Sequence, residues 1–208
     1  MFGFTTKVLG AALLIAGCIS TAASAQNLAS LPRASVAVQA SGEAKPLAAW
    51  TEFCRRAPGE CAVDPSEAST IQLTPRVWSA IQSVNARVNG TLKPMTDDDH
   101  WGVADSWDLP TDGAGDCEDF QLLKRHLLVR EGLPRRAMRM TVVIDGRGDG
   151  HAVLMIRTDR GDFVLDNKTN AIKPWFETGY VYVKRESQDR TGWVSLGRAT
   201  SPTQTANW

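Results

Sequence analysis

The amino-acid sequence predicts an α+β fold. Helix-period apolar patterns fill the chain before Pro134, extended apolar runs fill it afterwards, and short Gly- and Asp-rich turns separate those runs. Helices first and turn-linked strands after imply a mainly antiparallel sheet with segregated helices, not alternating βαβ units.

The first residues read as a secretory signal peptide over 1–25. Lys7 precedes the apolar stretch Val8–Ile19, and Ala23-Ser24-Ala25 supplies a small-x-small cleavage pattern. The stretch is too short to span a bilayer comfortably. Ile15-Ala16-Gly17-Cys18 resembles a bacterial lipobox, so anchoring through Cys18 is the alternative; the apolar run continues past Cys18, which favours simple export to the periplasm. Residues 26–45, rich in Ala and Ser, read as a flexible arm, 46–198 as the folded domain and 199–208 as a frayed tail.

Within the domain, Leu47–Arg55 reads as a short helix. Thr74-Pro75 supplies a cap and a first-turn proline for a second helix, with Val77, Trp78, Ile81, Val84 and Val88 at helical spacing and Gly90 as its stop. Pro94–Gly115 is a long irregular segment, and its Asp97-Asp98-Asp99 run reads as an exposed acidic turn. Asp116 is placed to cap a third helix that runs to Glu131 and stops at Gly132-Leu133-Pro134. Strands follow at Met138–Ile144, His151–Thr158 and Asp162–Asp166, then a hairpin from Tyr180–Val183 and Trp193–Leu196.

Lys plus Arg and Asp plus Glu number 23 each, so the formal net charge is zero. That argues against a general nucleic-acid binder. Of four cysteines, Cys18 leaves with the leader. Cys54 and Cys61 flank a short loop that a disulfide can close in an oxidising compartment. Cys117 is left over, and its acidic neighbours Asp116, Glu118 and Asp119 are poor company for a core thiol.

A thiol at a helix start is favoured as thiolate by backbone N–H groups and the helix dipole. It needs an oriented base. The chain has three histidines. His126 falls on the opposite helix face from Cys117 at about 100° per residue. His100 sits in the acidic loop and is the weaker candidate. His151 opens a strand after a glycine-rich turn, where a side chain can be aimed into a cleft, and Asp166 ends the next strand. An even-numbered turn between those strands puts both side chains on one face. The acids beside Cys117 oppose its ionisation. Either Asp116 caps the helix while Glu118 and Asp119 face away, or some of the carboxylates hold a hard cation such as calcium. Capping is the reading that local chemistry favours. The cysteines and histidines do not cluster at zinc-ligand spacings.

Gly115-Asp116-Cys117-Glu118-Asp119-Phe120, Arg130-Glu131-Gly132-Leu133-Pro134, His151-Ala152-Val153-Leu154 and Val164-Leu165-Asp166-Asn167 together resemble the bacterial transglutaminase-like cysteine proteinase family, over about Trp50 to Trp193. Trp101-Gly102 and Asp105-Ser106-Trp107 are similar to that family's stretch before the nucleophile. The resemblance implies a papain-like, transglutaminase-like α+β fold with nucleophile Cys117 on a helix end against the sheet, base His151 and orienting Asp166. It implies calcium held by Asp116, Glu118 and Asp119. It also implies a periplasmic protease, since the best-known members cleave surface adhesins and are sequestered by an inner-membrane receptor for cyclic di-GMP. The expectation is therefore an exported cysteine peptidase acting on a protein substrate, with Trp101 and Trp107 as cleft candidates. The alternatives are transglutaminase- or amidase-type acyl transfer by the same triad, and a non-catalytic adaptor on this scaffold.

Overall fold

The computed structural model describes residues 1–3, 30–199 and 205. The expected signal peptide, Cys18 and nearly all of the expected tail lie outside the described residues.

Helices α1 (Ala48–Arg56), α2 (Pro58–Cys61), α3 (Pro75–Thr91), α4 (Asp97–Trp101) and α5 (Cys117–Arg130) precede most of the strands. The strands are β1 (Gly42–Ala44), β2 (Lys93–Pro94), β3 (Ala114–Gly115), β4 (Met138–Ile144), β5 (Gly150–Thr158), β6 (Gly161–Leu165), β7 (Lys173–Pro174), β8 (Val181–Glu186) and β9 (Trp193–Ser195). Seven of them form one antiparallel sheet in the order β1-β9-β8-β4-β5-β6-β7, while β2 and β3 pair in parallel apart from it.

The larger apolar cluster lies between the sheet and the helices. Phe120, Leu122 and Leu128 of α5 meet Met140, Val142, Leu154 and Ile156 of the central strands, and Trp78 of α3 meets Phe163 edge-on at 5.5 Å. Val143, Val153, Met155, Val164 and Tyr182 form a second, smaller cluster. Thr74 caps α3 by accepting from the Val77 N–H. That helix runs one residue beyond Gly90, because Leu92 rather than the glycine ends it.

A buried ion pair ties α5 to the sheet. Arg125 donates to Glu186 of β8 at 2.5 Å, and Trp50 of α1 donates to the other oxygen of Glu186 at 2.7 Å. Arg125 also reaches the Glu60 carbonyl, in the loop closed by the Cys54–Cys61 disulfide. The paired cysteines thus brace the helix that carries the third, Cys117, which is free.

The segment expected to be a flexible arm is docked from Ser35 onward. Ser35 N–H donates to the Arg160 carbonyl, Val38 N–H donates to Asp162, and β1 adds an edge strand to β9. Gly161 makes this possible: its φ is +100°, and an added Cβ would sit 2.7 Å from the Ser35 backbone. Composition alone misses the docking, because backbone hydrogen bonds and not apolar side chains hold much of this segment.

Candidate active site

Cys117 is the first residue of α5 and is fully buried. Asp116 occupies the N-cap position but makes no side-chain cap, which overturns the capping expectation. Gly115 has to be glycine for steric reasons: a Cβ there would lie 2.5 Å from the Asp119 carboxylate. The close turn brings Asp116 and Glu118 to either side of the thiol. Glu118 Oε2 lies 3.0 Å from Cys117 Sγ, the Thr205 carbonyl lies 2.7 Å from it, and the Ala152 N–H donates to it at 3.4 Å.

The last of these contacts brings β5 to the thiol, and His151 precedes Ala152. His151 Nε2 is 2.9 Å from Asp166 Oδ1. Its Nδ1 is buried with no hydrogen-bond partner among the described residues. The register accounts for the pair. Thr158 faces Gly161 across a two-residue turn and Leu154 faces Leu165, so period two puts the next residue, Asp166, on the same face as His151. Asp166 is held from three sides: the Lys168 N–H donates to Oδ1, the Tyr180 hydroxyl donates to Oδ2, and Asn89 of α3 donates to its carbonyl. Burial pushes the Asp166 carboxyl up in pKa, but His151, Tyr180 and Lys168 outweigh it and hold it at about 2.

The acids beside Cys117 do not face away. Glu118 and Asp119 are buried, and so is Asp97, which was expected in an exposed turn; Asp98 and Asp99 are exposed. A loop and short helix α4 fold the upstream segment back over the start of α5, and this closes the cluster. Oxygens of Asp97, Asp105 and Glu118 lie within 4.8 Å of one another, and so do those of Asp97, Asp116 and Asp119. Both Asp116 oxygens, Glu118 Oε1 and Asp105 Oδ1 are buried without partners among the described residues. Asp119 is partly committed elsewhere, accepting the Asp108 N–H at 2.8 Å.

Burial and mutual repulsion raise these carboxyls: Asp116 to about 8, Asp119 to about 9, and Glu118 well above its ordinary value. Burial, then the charges of Glu118 and Asp116, push the Cys117 thiol up as well.

Trp107, a cleft candidate, is packed inside the protein. Its indole is fully buried, with its edge toward Trp193 at 6.1 Å. Trp101 is half-exposed and stacks on His100, whose Nε2 bonds Asp112 at 2.7 Å; neither side chain bonds Cys117. His126 bonds Glu60, away from the thiol. A cavity of about 700 Å³ borders Asp105 and is walled by Lys45, Leu47, Ala104, Lys184 and Ala199.

Sequence reasoning missed Asp97 and Asp105 as partners of Glu118, and missed Tyr180 and Lys124. Burial lowers the Lys124 ammonium to about pKa 7, against the opposing charge of Asp166. Lys124 follows Cys117 and Gln121 at helical spacing, so the periodicity of α5 held that signal. For Tyr180, remote in sequence, no local signal existed.

None of the curated proteins matches this chain. Among solved structures, calcium-bound Legionella pneumophila LapG is 23% identical, over 61% of this chain and 72% of that one, with a TM-score of 0.50, which shows a shared fold. EGTA-treated Legionella pneumophila LapG is 24% identical, over 62% of this chain and 72% of that one, at a TM-score of 0.48. The family model for bacterial transglutaminase-like cysteine proteinases matches residues 40–201, a span that takes in β1 through β9. The chain belongs to that family and is a cysteine peptidase.

Proposed function

We propose that this peptidase cleaves a protein substrate through Cys117 as nucleophile, His151 as base and Asp166 as the group that orients the base. The observation that carries this reading is the His151 ring: its Nε2 is held by Asp166 and its Nδ1 has no hydrogen-bond partner among the described residues. One ring nitrogen is thereby left to take the thiol proton, on the residue next to the N–H that touches Sγ. The Asp166 hydrogen bond fixes the tautomer and stabilises the imidazolium.

Thiolate attack on a peptide carbonyl forms a tetrahedral oxyanion. Cys117 opens α5, where backbone N–H groups lack intrahelical partners and its own can stabilise that charge. The imidazolium then protonates the leaving amine. Water, activated by His151, releases the acyl group and restores the thiol.

The carboxylate cluster fits a hard divalent cation. Its orphaned buried oxygens are what such an ion requires, and LapG, similar in fold, has a calcium-bound form. Asp116 and Glu118, joined by Asp97 and Asp105, would hold calcium, and Asp119 would contribute through its remaining oxygen. Bound there, the ion would add two positive charges among the carboxylates and so weaken their repulsion of a negative sulfur, which favours the thiolate.

No helix among the described residues is long and apolar enough to cross a membrane. With the expected signal peptide and the Cys54–Cys61 disulfide, this agrees with an exported, periplasmic enzyme. A cell-surface adhesin as substrate and an inner-membrane receptor as regulator remain proposals drawn from the family resemblance.

The deciding experiment is Cys117→Ala. Proteolysis of an unfolded protein substrate is expected to vanish with the melting temperature retained. Unchanged cleavage would end the mechanism. Mass spectrometry of the products separates hydrolysis from acyl transfer to an amine.

A further inference from the structure

His151 and Asp166 both lie past the point where backbone pairing between their strands stops. The β5–β6 register ends at Leu154 with Leu165, before either residue is reached. His151 also follows directly on the run Asp145-Gly146-Arg147-Gly148-Asp149-Gly150, whose glycines leave the backbone wide freedom; Gly148 sits at a φ of +90°. Asp166 opens the loop that leads from β6 to β7. A base and its partner carried on two such ends need more than the β5–β6 ladder to fix their separation.

One ion pair spans the two ends. Lys168 Nζ donates to Asp145 Oδ2 at 2.7 Å, and the Lys168 backbone N–H donates to Asp166 Oδ1 at 3.0 Å. Asp145 Oδ1 accepts the Arg147 and Asp149 N–H groups at 2.9 and 3.0 Å. One carboxylate thus closes the turn and holds the lysine at once. The Asp145 side chain is 5% exposed and that of Lys168 25%, which sets the pair apart from a solvated surface contact. Arg147 approaches the same Asp145 oxygen at 3.6 Å, but its side chain is 62% exposed and lies as near to Asp149.

We propose that Lys168 and Asp145 are positioning residues of the peptidase site: their ion pair ties the turn before His151 to the loop after Asp166 and so fixes the imidazole against the carboxylate. The inference rests on the roles of Cys117, His151 and Asp166 and deepens them. Neither residue bonds the thiol. Lys168 acts through its N–H on Asp166, and Asp145 acts through the turn that leads into His151. Without the pair the glycine-rich turn is freer to move, and a shift of about 1 Å at a catalytic group is enough to slow a reaction about a hundredfold.

The test uses the full chain with Lys168→Met, Asp145→Asn, the double variant, Lys168→Arg and the control Arg147→Met. Cleavage of an unfolded protein substrate is measured beside the pH midpoint of iodoacetamide labelling at Cys117. Rates are taken per folded molecule, counted from the unfolding transition, so that early melting of a variant does not imitate the effect. Lys168→Met and Asp145→Asn are each expected to lower kcat about tenfold with KM little changed. Both should also move the labelling midpoint upward, because a misplaced imidazole takes the thiol proton less readily. The double variant falls no further than either single one, since both remove the same pair. Lys168→Arg restores much of the loss, and Arg147→Met behaves as the unmodified chain.

An unchanged kcat and an unmoved midpoint in Lys168→Met overturn the proposal. So does an equal loss in Arg147→Met, because any charge on the turn would then serve. The two readings fail separately. Cleavage that survives Cys117→Ala ends the peptidase mechanism, whereas an inactive Cys117→Ala beside a fully active Lys168→Met ends only the positioning pair.

Discussion

Tyr180 donates its hydroxyl to Asp166 Oδ2 at 2.5 Å, the carboxylate oxygen that His151 does not use, and its ring meets the His151 imidazole edge-on at 5.7 Å. One side chain thus touches both the proposed base and the acid proposed to orient it. A hydrogen bond to a charged group contributes about 1.5–3 kcal/mol. Tyr180→Phe keeps the ring and removes the donor. The expected result is a fall in kcat with KM little changed and an upward move of the acidic limb of the pH profile, because Asp166 then loses a group that favours its charged form. A pH profile identical to that of the unmodified enzyme would show that the hydroxyl does not tune the pair.

The depressed Asp166 pKa also sets a stability window. The folded state holds this carboxyl at about 2 against an ordinary value of 3.8, so the folded form favours the charged state. The resulting stability is present above about pH 4 and is lost as pH falls through about 2, a change of about 2 kcal/mol. Unfolding titrations of the unmodified protein and Asp166→Asn are therefore expected to differ most at neutral pH and to converge toward pH 2. Curves separated by a constant gap at all pH values would contradict this.

Calcium and the buried carboxylates give a prediction with a change of sign. Asp116 is raised to about 8 and Asp119 to about 9 in the protein without an ion. Folding then favours the protonated forms, and stability is full below about pH 4 and declines as pH rises toward 8 and 9. In chelator at about pH 7, Asp116→Asn is expected to melt higher than the unmodified chain, because folding no longer has to draw a proton onto this buried side chain. In excess calcium the order should reverse, since the variant has lost a ligand. Calorimetry in the two buffers checks both halves; no calcium response in the unmodified chain would remove the ion from the site.

The Cys54–Cys61 bridge closes a short loop whose Glu60 holds Arg125, Arg135 and His126. Replacing both cysteines by serine should cost about 2–3 kcal/mol, the entropy of a loop of this length in the unfolded chain. Because Glu60 anchors the side of α5 away from Cys117, the loss is expected in the melting temperature and not in the pH dependence of activity. Denaturant unfolding with and without reductant measures it: reductant should lower the stability of the unmodified protein and leave the double variant unchanged.

Much of the fold was legible because it rests on local patterns. Thr74-Pro75 announces α3 through a cap and a pre-set φ, and both act within one turn. The two-residue periodicity made a shared face for His151 and Asp166 conditional on an even-numbered turn, and the sequence does not fix that turn; the observed Thr158–Gly161 pairing, with two residues between, supplies it. The acids beside Cys117 were harder. Capping is the local solution for Asp116, and sequence reasoning preferred it. The structure instead packs α4 and the Asp105 loop over the helix start, which turns exposed capping positions into a buried cluster. Trp107 shows the same limit: its sequence neighbours do not reveal that its indole is wholly buried with its edge toward Trp193 of β9.

By itself, the sequence singled out the candidate reactive groups and their order, Cys117 then His151 then Asp166, because the chemistry of a thiol, an imidazole and a carboxylate belongs to single side chains, and helix starts and strand periods are properties of a few neighbours. Only the tertiary structure decided the environment of those groups. Whether Glu118 meets solvent or Asp105, whether Asp166 gains Tyr180, and whether Cys117 is open or covered by Thr205 all depend on segments far apart in the chain meeting in space. Burial and charge proximity control ionisation, and both are sums over all such meetings.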